Sequence, residues 1–202
     1  MNYSQDRERS FLTNSELESI GLADFGSNVL ISRYARLYNP QSIRLGSNVR
    51  VDDFSILSAG KYIEIGSYVH VGAFSSFYGK FGITIADYAN ISSRVSIFTE
   101  SDDHTGATLT NPTIPNALKT HQTCGSVCVE EHVVIYTNST VLPGVILSEG
   151  SVLGAHSLAK TNLDPWTINV GVPSKKIGKR NQDLRTQLKQ IDASSAVTRK
   201  EL

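Results

Sequence analysis

The sequence is poor in the residues that tie a chain together covalently or commit it to a charged partner. Its 202 residues include two cysteines, Cys124 and Cys128, too few for a disulfide framework or a four-ligand zinc site. In a reducing compartment both read as free thiols. Nineteen basic residues face nineteen acidic ones, so the formal net charge is zero. That balance argues against a broad basic surface for nucleic acid or anionic membrane, so any anion site is expected to be local. No run approaches the ~18 consecutive apolar residues of a membrane span, and the polar opening MNYSQDRERS has no apolar stretch behind it. The chain therefore reads as cytoplasmic, with no membrane span and no nucleic-acid partner. Its length suits one buried core, so every motif belongs to a single fold.

What is present is a repeat. Phe25-Gly26-Ser27-Asn28-Val29 returns as Leu45-Gly46-Ser47-Asn48-Val49, Ile65-Gly66-Ser67-Tyr68-Val69 and Ile85-Ala86-Asp87-Tyr88-Ala89, each 20 residues after the last. Inside each unit runs a finer period of six, as in Leu45, Val51, Leu57 and in Ile65, Val71, Phe77. An aliphatic residue every six, with small residues between, suits a triangular coil of three short strands joined at corners that Gly, Ala, Ser and Asn tolerate. A helix would need apolar residues at three and four, which these segments lack. Three hexads make 18, and the extra pair in each unit (Ile43-Arg44, Ile63-Glu64, Ile83-Thr84) reads as a bulge at one corner. The six-period resumes at Val129, Ile135, Val141, Leu147 and Leu153, with Gly144, Gly150 and Gly154 near corners. One coil cannot bury its own face, so stability must come from stacking. The predicted fold is all-β, a parallel β-helix over residues 25–180.

Three segments leave the pattern. Thr13-Asn14-Ser15-Glu16 offers a capping box before Leu17 and Ile20, with Gly21 as a stop, which predicts a short helical cap within residues 1–24. Residues 181–191 (NQDLRTQLKQI) have helical character, so 181–202 reads as a C-terminal helix and tail. Between them a loop at 98–126 interrupts the repeat, and a protruding loop of that length in a solenoid is expected to carry function. It holds the densest titratable cluster: Glu100, Asp102, Asp103, His104 and, near its end, His121. The densest basic cluster is Lys175, Lys176, Lys179 and Arg180, suited to phosphates. His70 and His132 lie beside corner-type sequences and read as surface residues.

The stretch from Thr140 to Arg180, TVLPGVILSEGSVLGAHSLAKTNLDPWTINVGVPSKKIGKR, is similar throughout to the closing coils of the hexapeptide acyltransferases, a family that includes galactoside, maltose and xenobiotic acetyltransferases. The resemblance covers roughly residues 13 to 180 and ends on a run similar to that family's Gly-Val-Pro-Ala-Lys signature. It implies a left-handed β-helix, an exception to the right-handed crossover rule. It also implies a homotrimer with sites in the clefts between subunits, and acetyl-CoA as co-substrate with no metal. By matching position, Gly144, Ala155 and Lys160 would contact the pantetheine and adenosine parts of coenzyme A, while Pro173, Lys175, Lys176 and Arg180 would flank its phosphates. His156, in place of a small residue, would stand at the same cleft.

Acyl transfer from a thioester needs an acceptor relieved of its proton and donors for the oxyanion. In the sugar acetyltransferases the catalytic histidine follows a Tyr-Thr-Ala-Thr run, which Ile97-Phe98-Thr99-Glu100 resembles. His104 is then the leading base, neutral and competent near pH 7. Two more residues precede it than in that family, and Thr105 replaces the usual proline, so alignment can also place Asp102 there. Asp102 or Asp103 could equally orient the imidazole. All three remain candidates. Where galactoside and maltose enzymes carry Asn-Phe-Asn-Cys, this chain reads Gly72-Ala73-Phe74-Ser75-Ser76 and lacks the asparagine that binds sugar hydroxyls. The words SDD, TNPTIP and LDPW resemble acyltransferases of surface-polysaccharide pathways, among them enzymes that N-acetylate dTDP-4-amino-4,6-dideoxyglucose. The implied function is acetyl transfer to an amino or hydroxyl group of a sugar, first a nucleotide-linked amino sugar and alternatively a galactoside- or maltose-type acceptor. For a neutral amine, already a good nucleophile, an aspartate can suffice. A γ-type carbonic anhydrase on the same coil would need an H-x4-H element that is missing, and a non-catalytic binding module would not need the loop histidine or the basic cluster.

Overall fold

The computed structural model describes residues 10–187. Helix α1 (Asn14–Ile20) opens on the expected capping box: Glu16 N–H donates to Thr13 Oγ1 and Thr13 N–H donates to Glu16 Oε2. It stops at Gly21, whose φ of 78° a glycine adopts without strain, and it buries Leu17 on the open end of the first coil. Arg33 grips the Glu16 carboxylate with two bonds of 2.6 and 2.8 Å, pinning the cap to the solenoid.

The rest is a parallel β-solenoid of three sheets. The first stacks Asp24–Phe25, Ile43–Leu45, Ile63–Ile65, Ile83–Ile85, Val127–Val129 and Ile146–Leu147. The second runs from Leu30–Ile31 through Arg50–Val51, His70–Val71, Asn90–Ile91, Val134–Ile135 and Val152–Leu153 to Thr167–Val170. The third holds Arg36–Tyr38, Ile56–Ala59, Ser76–Gly79, Ser96–Phe98, Thr140–Val141 and Leu158–Ala159. Like pairs with like: Ile43, Ile63, Ile83 and Val127 form one buried column, and Val51, Val71, Ile91 and Ile135 another. Burying each such side chain stabilises the stack by about 1.5–3 kcal/mol relative to exposure, which is why the coils need one another.

Two corners repeat a left-handed backbone from coil to coil, the second from Phe54 onward. Asn28, Asn48, Tyr68, Tyr88, His132 and Trp166 have φ near +60° at one, and Phe54, Phe74, Arg94, Asn138 and His156 at the other. Such residues are strained when isolated, and here the stacked neighbours over-determine the conformation. Their side chains stack in turn: Tyr34, Phe54 and Phe74 lie 5.5 and 5.1 Å apart, and the Arg94 guanidinium sits 5.2 Å from the Phe74 ring centre. The glycine beside the first corner is required by space, since a Cβ on Gly46 would come within 2.6 Å of the Gly66 backbone.

Two sequence expectations are corrected. The extra residues of each 20-residue coil do not bulge at Ile43-Arg44 and its equivalents, which are in-register strand residues with the isoleucines buried. They widen the third corner instead, at Pro40–Ser42 (a 3-10 turn), 60–62 and 80–82, where no core column has to be kept in step. His132 is not a surface residue. It is 7% exposed and packed in a ring stack between Tyr88, at 5.2 Å, and Trp166, at 6.2 Å. The basic stretch Lys175–Lys179 is a strand that folds back antiparallel on Thr167–Val170 at the end of the solenoid. Residues 184–187 are helical, while residues 1–9 and the remainder of the expected C-terminal helix and tail, from 188, lie outside the described residues.

Candidate active site

The loop leaves the solenoid through a closed neck. Glu100–Ser101 pairs antiparallel with Thr123–Cys124, and Lys80 is ion-paired to Glu100. Beneath the neck, the buried Thr99 hydroxyl donates to Tyr78 O at 2.7 Å and accepts from Phe81 N–H at 3.0 Å. The loop therefore starts and ends at one fixed place although its interior has almost no regular structure, a single 3-10 turn at Asn116–Leu118.

The two adjacent aspartates have different surroundings. Asp103 is 9% exposed and fully engaged: Oδ1 accepts from Thr105 N–H and Oγ1 at 2.8 and 2.7 Å, and Oδ2 accepts from Thr108 N–H at 2.9 Å. These bonds, the Thr105 hydroxyl first, hold its carboxyl far below the usual carboxylate range. Asp103 thus shapes its own turn. The side chain of Asp102 is 30% exposed. Its Oδ1 accepts from Gln122 Nε2 at 2.9 Å, its Oδ2 accepts from Asn111 N–H at 2.7 Å, and Lys119 Nζ stands 3.6 Å from Oδ1. The Gln122 bond first, then Asn111 and Lys119, also lower its pKa. A carboxylate offers about four lone-pair sites, so Asp102, with two hydrogen bonds and a more exposed side chain, keeps more acceptor capacity for a ligand than the buried Asp103, which accepts three. His104 is exposed and has no side-chain partner among the described residues, and His121 is exposed with Nδ1 3.2 Å from Thr120 Oγ1.

The residues expected along the donor lie on the closing coils. Loop and coil meet at glycine: Gly144 N–H donates to Gly125 O at 3.3 Å, and a Cβ on Gly125 would fall 2.7 Å from Gly144 Cα. Ala155, Lys160, Pro173, Lys175 and Lys176 are exposed, and Lys176 reaches Asp164 at 3.3 Å. The hairpin brings Lys175 opposite Val170, and Ser174 N–H donates to Leu158 O at 2.8 Å, so the basic strand and the coil carrying Ala155 and Lys160 adjoin. Arg180 is turned inward. Its Nη1 donates to His132 O and Gly150 O at 2.6 and 3.1 Å, and its guanidinium covers Trp166. His156 is exposed at its corner, 3.3 Å from Asn138 Nδ2.

Among the described residues, Glu131, His132 and Glu149 are spaced as a metal could use them. Burial pushes the His132 imidazole toward its neutral form, but Arg185 already occupies Glu149 at 2.5 Å, so the carboxylate is answered without a metal. The sequence reading missed Lys119, Gln122 and Asn111. No motif marked them, because what distinguishes them is convergence on one carboxylate from separate parts of an irregular loop.

No family model matches the chain. A dTDP-4-amino-4,6-dideoxy-D-glucose acyltransferase from Escherichia coli is 41% identical over 109 residues, which is 54% of this chain and 56% of that protein. The chain thus matches about half the length of this curated relative. Full-length similarity appears among solved structures of AntD, an N-acyltransferase from Bacillus cereus. Its complex with dTDP and 3-hydroxybutyryl-CoA superposes with a TM-score of 0.90 at 42% identity, covering 93% of this chain and 98% of that one. A variant in complex with dTDP-4-amino-4,6-dideoxyglucose and coenzyme A gives 0.89 at 42% identity, covering 92% and 98%. With the stacked hexads, the interrupting loop and this likeness along nearly the whole chain together, the protein belongs to the hexapeptide-repeat acyltransferase family that includes AntD.

Proposed function

We propose that the protein is an N-acyltransferase that moves an acyl group from a coenzyme A thioester to the amino group of a nucleotide-linked sugar of the dTDP-4-amino-4,6-dideoxyglucose type. The observation that carries this reading is Asp102, an ionised, partly exposed carboxylate with open lone pairs on the loop that interrupts the solenoid. The reading draws its acceptor from the relatives, one named for that sugar and one crystallised with it.

A carboxylate held below its ordinary range is a weak proton acceptor, and a catalytic base works best with a pKa near the working pH. Asp102 therefore serves better as a charge partner. The neutral amine attacks the thioester carbon, the C–N bond forms, and nitrogen becomes positive while oxygen becomes negative. Asp102 stabilises the positive nitrogen by a charge-assisted hydrogen bond. Collapse breaks the C–S bond, coenzyme A leaves as thiolate, and the nitrogen proton passes to solvent or to the thiolate. A hydroxyl acceptor would need a true base, which favours N- over O-transfer. His104 stays in the proposal as the second candidate for the proton. Gly144, Ala155, Lys160, Pro173, Lys175 and Lys176 line the proposed donor path along the adjoining coil and hairpin, with Arg180 holding the hairpin behind them. The donor is acetyl-CoA or a short hydroxyacyl-CoA, no metal is used, and the working form is a cytoplasmic homotrimer.

The test is thiol release from acetyl-CoA and 3-hydroxybutyryl-CoA with a panel of acceptors. Release with dTDP-4-amino-4,6-dideoxyglucose, and none with dTDP-glucose or maltose, is expected. Release with hydroxyl acceptors alone would overturn the assignment. A light-scattering mass three times the 22.0 kDa chain is expected alongside.

A further inference from the structure

Lysine is almost never buried without a partner. Lys119 is 9% exposed, its side chain 6%, in the interior of an otherwise open loop. The ion-pair partner of its ammonium among the described residues is Asp102, 17 positions earlier, with Nζ 3.6 Å from Oδ1. Its backbone is fixed too, as Lys119 N–H closes the 3-10 turn on Asn116 O at 3.0 Å. At 3.6 Å the ammonium lies beyond ordinary hydrogen-bond range, so it acts on Asp102 as a charge and leaves a lone pair open. Gln122 makes the direct bond to that same oxygen. Loop anchoring alone does not call for this convergence, because Asp103 already staples its own turn to Thr105 and Thr108.

We propose that Lys119 is a positioning residue, whose buried ammonium holds the Asp102 carboxylate aimed for the positive nitrogen of the transition state. The inference rests on the acyl transfer proposed above and extends it to a residue outside the expected site. It also implies a mutual dependence: without Asp102, Lys119 is an uncompensated buried charge, and without Lys119, Asp102 loses a neighbour that favours its ionised form.

The test is a set of variants: Lys119→Met, which keeps the stem and removes the charge, Lys119→Arg, Asp102→Asn, and the double variant Lys119→Met/Asp102→Asn. For Lys119→Met, kcat/KM for the amino sugar is expected to fall roughly 10- to 100-fold with the KM for acyl-CoA unchanged, and Lys119→Arg to recover most of the loss. The double variant is expected to be no slower than Asp102→Asn alone, since residues acting as a unit do not add. Unchanged kinetics in Lys119→Met would overturn the proposal, as would a parallel loss for both substrates that Lys119→Arg does not repair. If the wild type is inactive on every acceptor, the activity reading fails. A thermal-melt cycle over the wild type, Lys119→Met, Asp102→Asn and the double variant then still reads the pairing, and additive losses in Tm overturn it.

Discussion

Glu16 and Asp103 show how one carboxylate can hold a local turn, and how differently each is visible in sequence. The Thr-x-x-Glu spacing announces Glu16, because a capping box is a fixed offset on one helix turn. Its pKa is pulled down to about 2, by Arg33 first and by Thr13 next. A folded pKa below the unfolded value means that the contribution is present above the ordinary value and lost as pH falls. The cap is therefore expected to loosen between about pH 4.5 and about 2, read as faster amide exchange across Asn14–Ile20, and Glu16→Gln should remove that pH step. For Asp103 the sequence offered a catalytic or imidazole-orienting candidate and no sign of a turn staple. Its bonds to Thr105 and Thr108 depend on how the loop doubles back, which no periodicity records. Asp103→Ala should raise exchange throughout residues 102–108 and leave the solenoid strands protected. Asp102→Asn should keep that protection and lose activity by about 100-fold or more, the size expected when a charge aimed at the transition state is removed.

At the level of the coil, legibility follows regularity. Every core column named from the six-residue period is buried, because six residues make one side of the coil and each side returns the same position to the inward face. The wide third corner was misplaced because an apolar-polar pair reads alike whether it sits in a bulge or opens a strand. His132 was misread because corner residues usually point to water, and only the stack with Tyr88 and Trp166 reverses that. Corner geometry also yields a test. Gly46→Ala would drive a methyl group to 2.6 Å from the Gly66 carbonyl carbon and 2.7 Å from Ser67 N, backbone atoms that cannot swing aside. A loss of about 1–3 kcal/mol in chemical denaturation is expected, as for other overpacked sites. Thr13→Ala, which removes the helix cap without touching a coil, should cost about 1 kcal/mol.

For the whole molecule, the solenoid is a stack of neighbours whose coupling runs through shared core columns. Phe77 is the largest side chain buried completely in the middle of that stack, between Leu57 and Ile97. Phe77→Ala should cost about 3–5 kcal/mol and lower the denaturation midpoint of the sheet signal. The far end of the stack is closed by the molecule's single tryptophan, Trp166, whose ring occupies the space a Gly150 side chain would fill and lies 4.7 Å from the Arg185 guanidinium. One indole at one terminus makes tryptophan emission, excited beyond the absorption of the eight tyrosines, a reporter of that terminus alone. If the stack frays from its last coil, tryptophan emission shifts at lower denaturant than the far-ultraviolet dichroism of the sheets, and the gap between the two curves measures how far unravelling at one end outruns the rest.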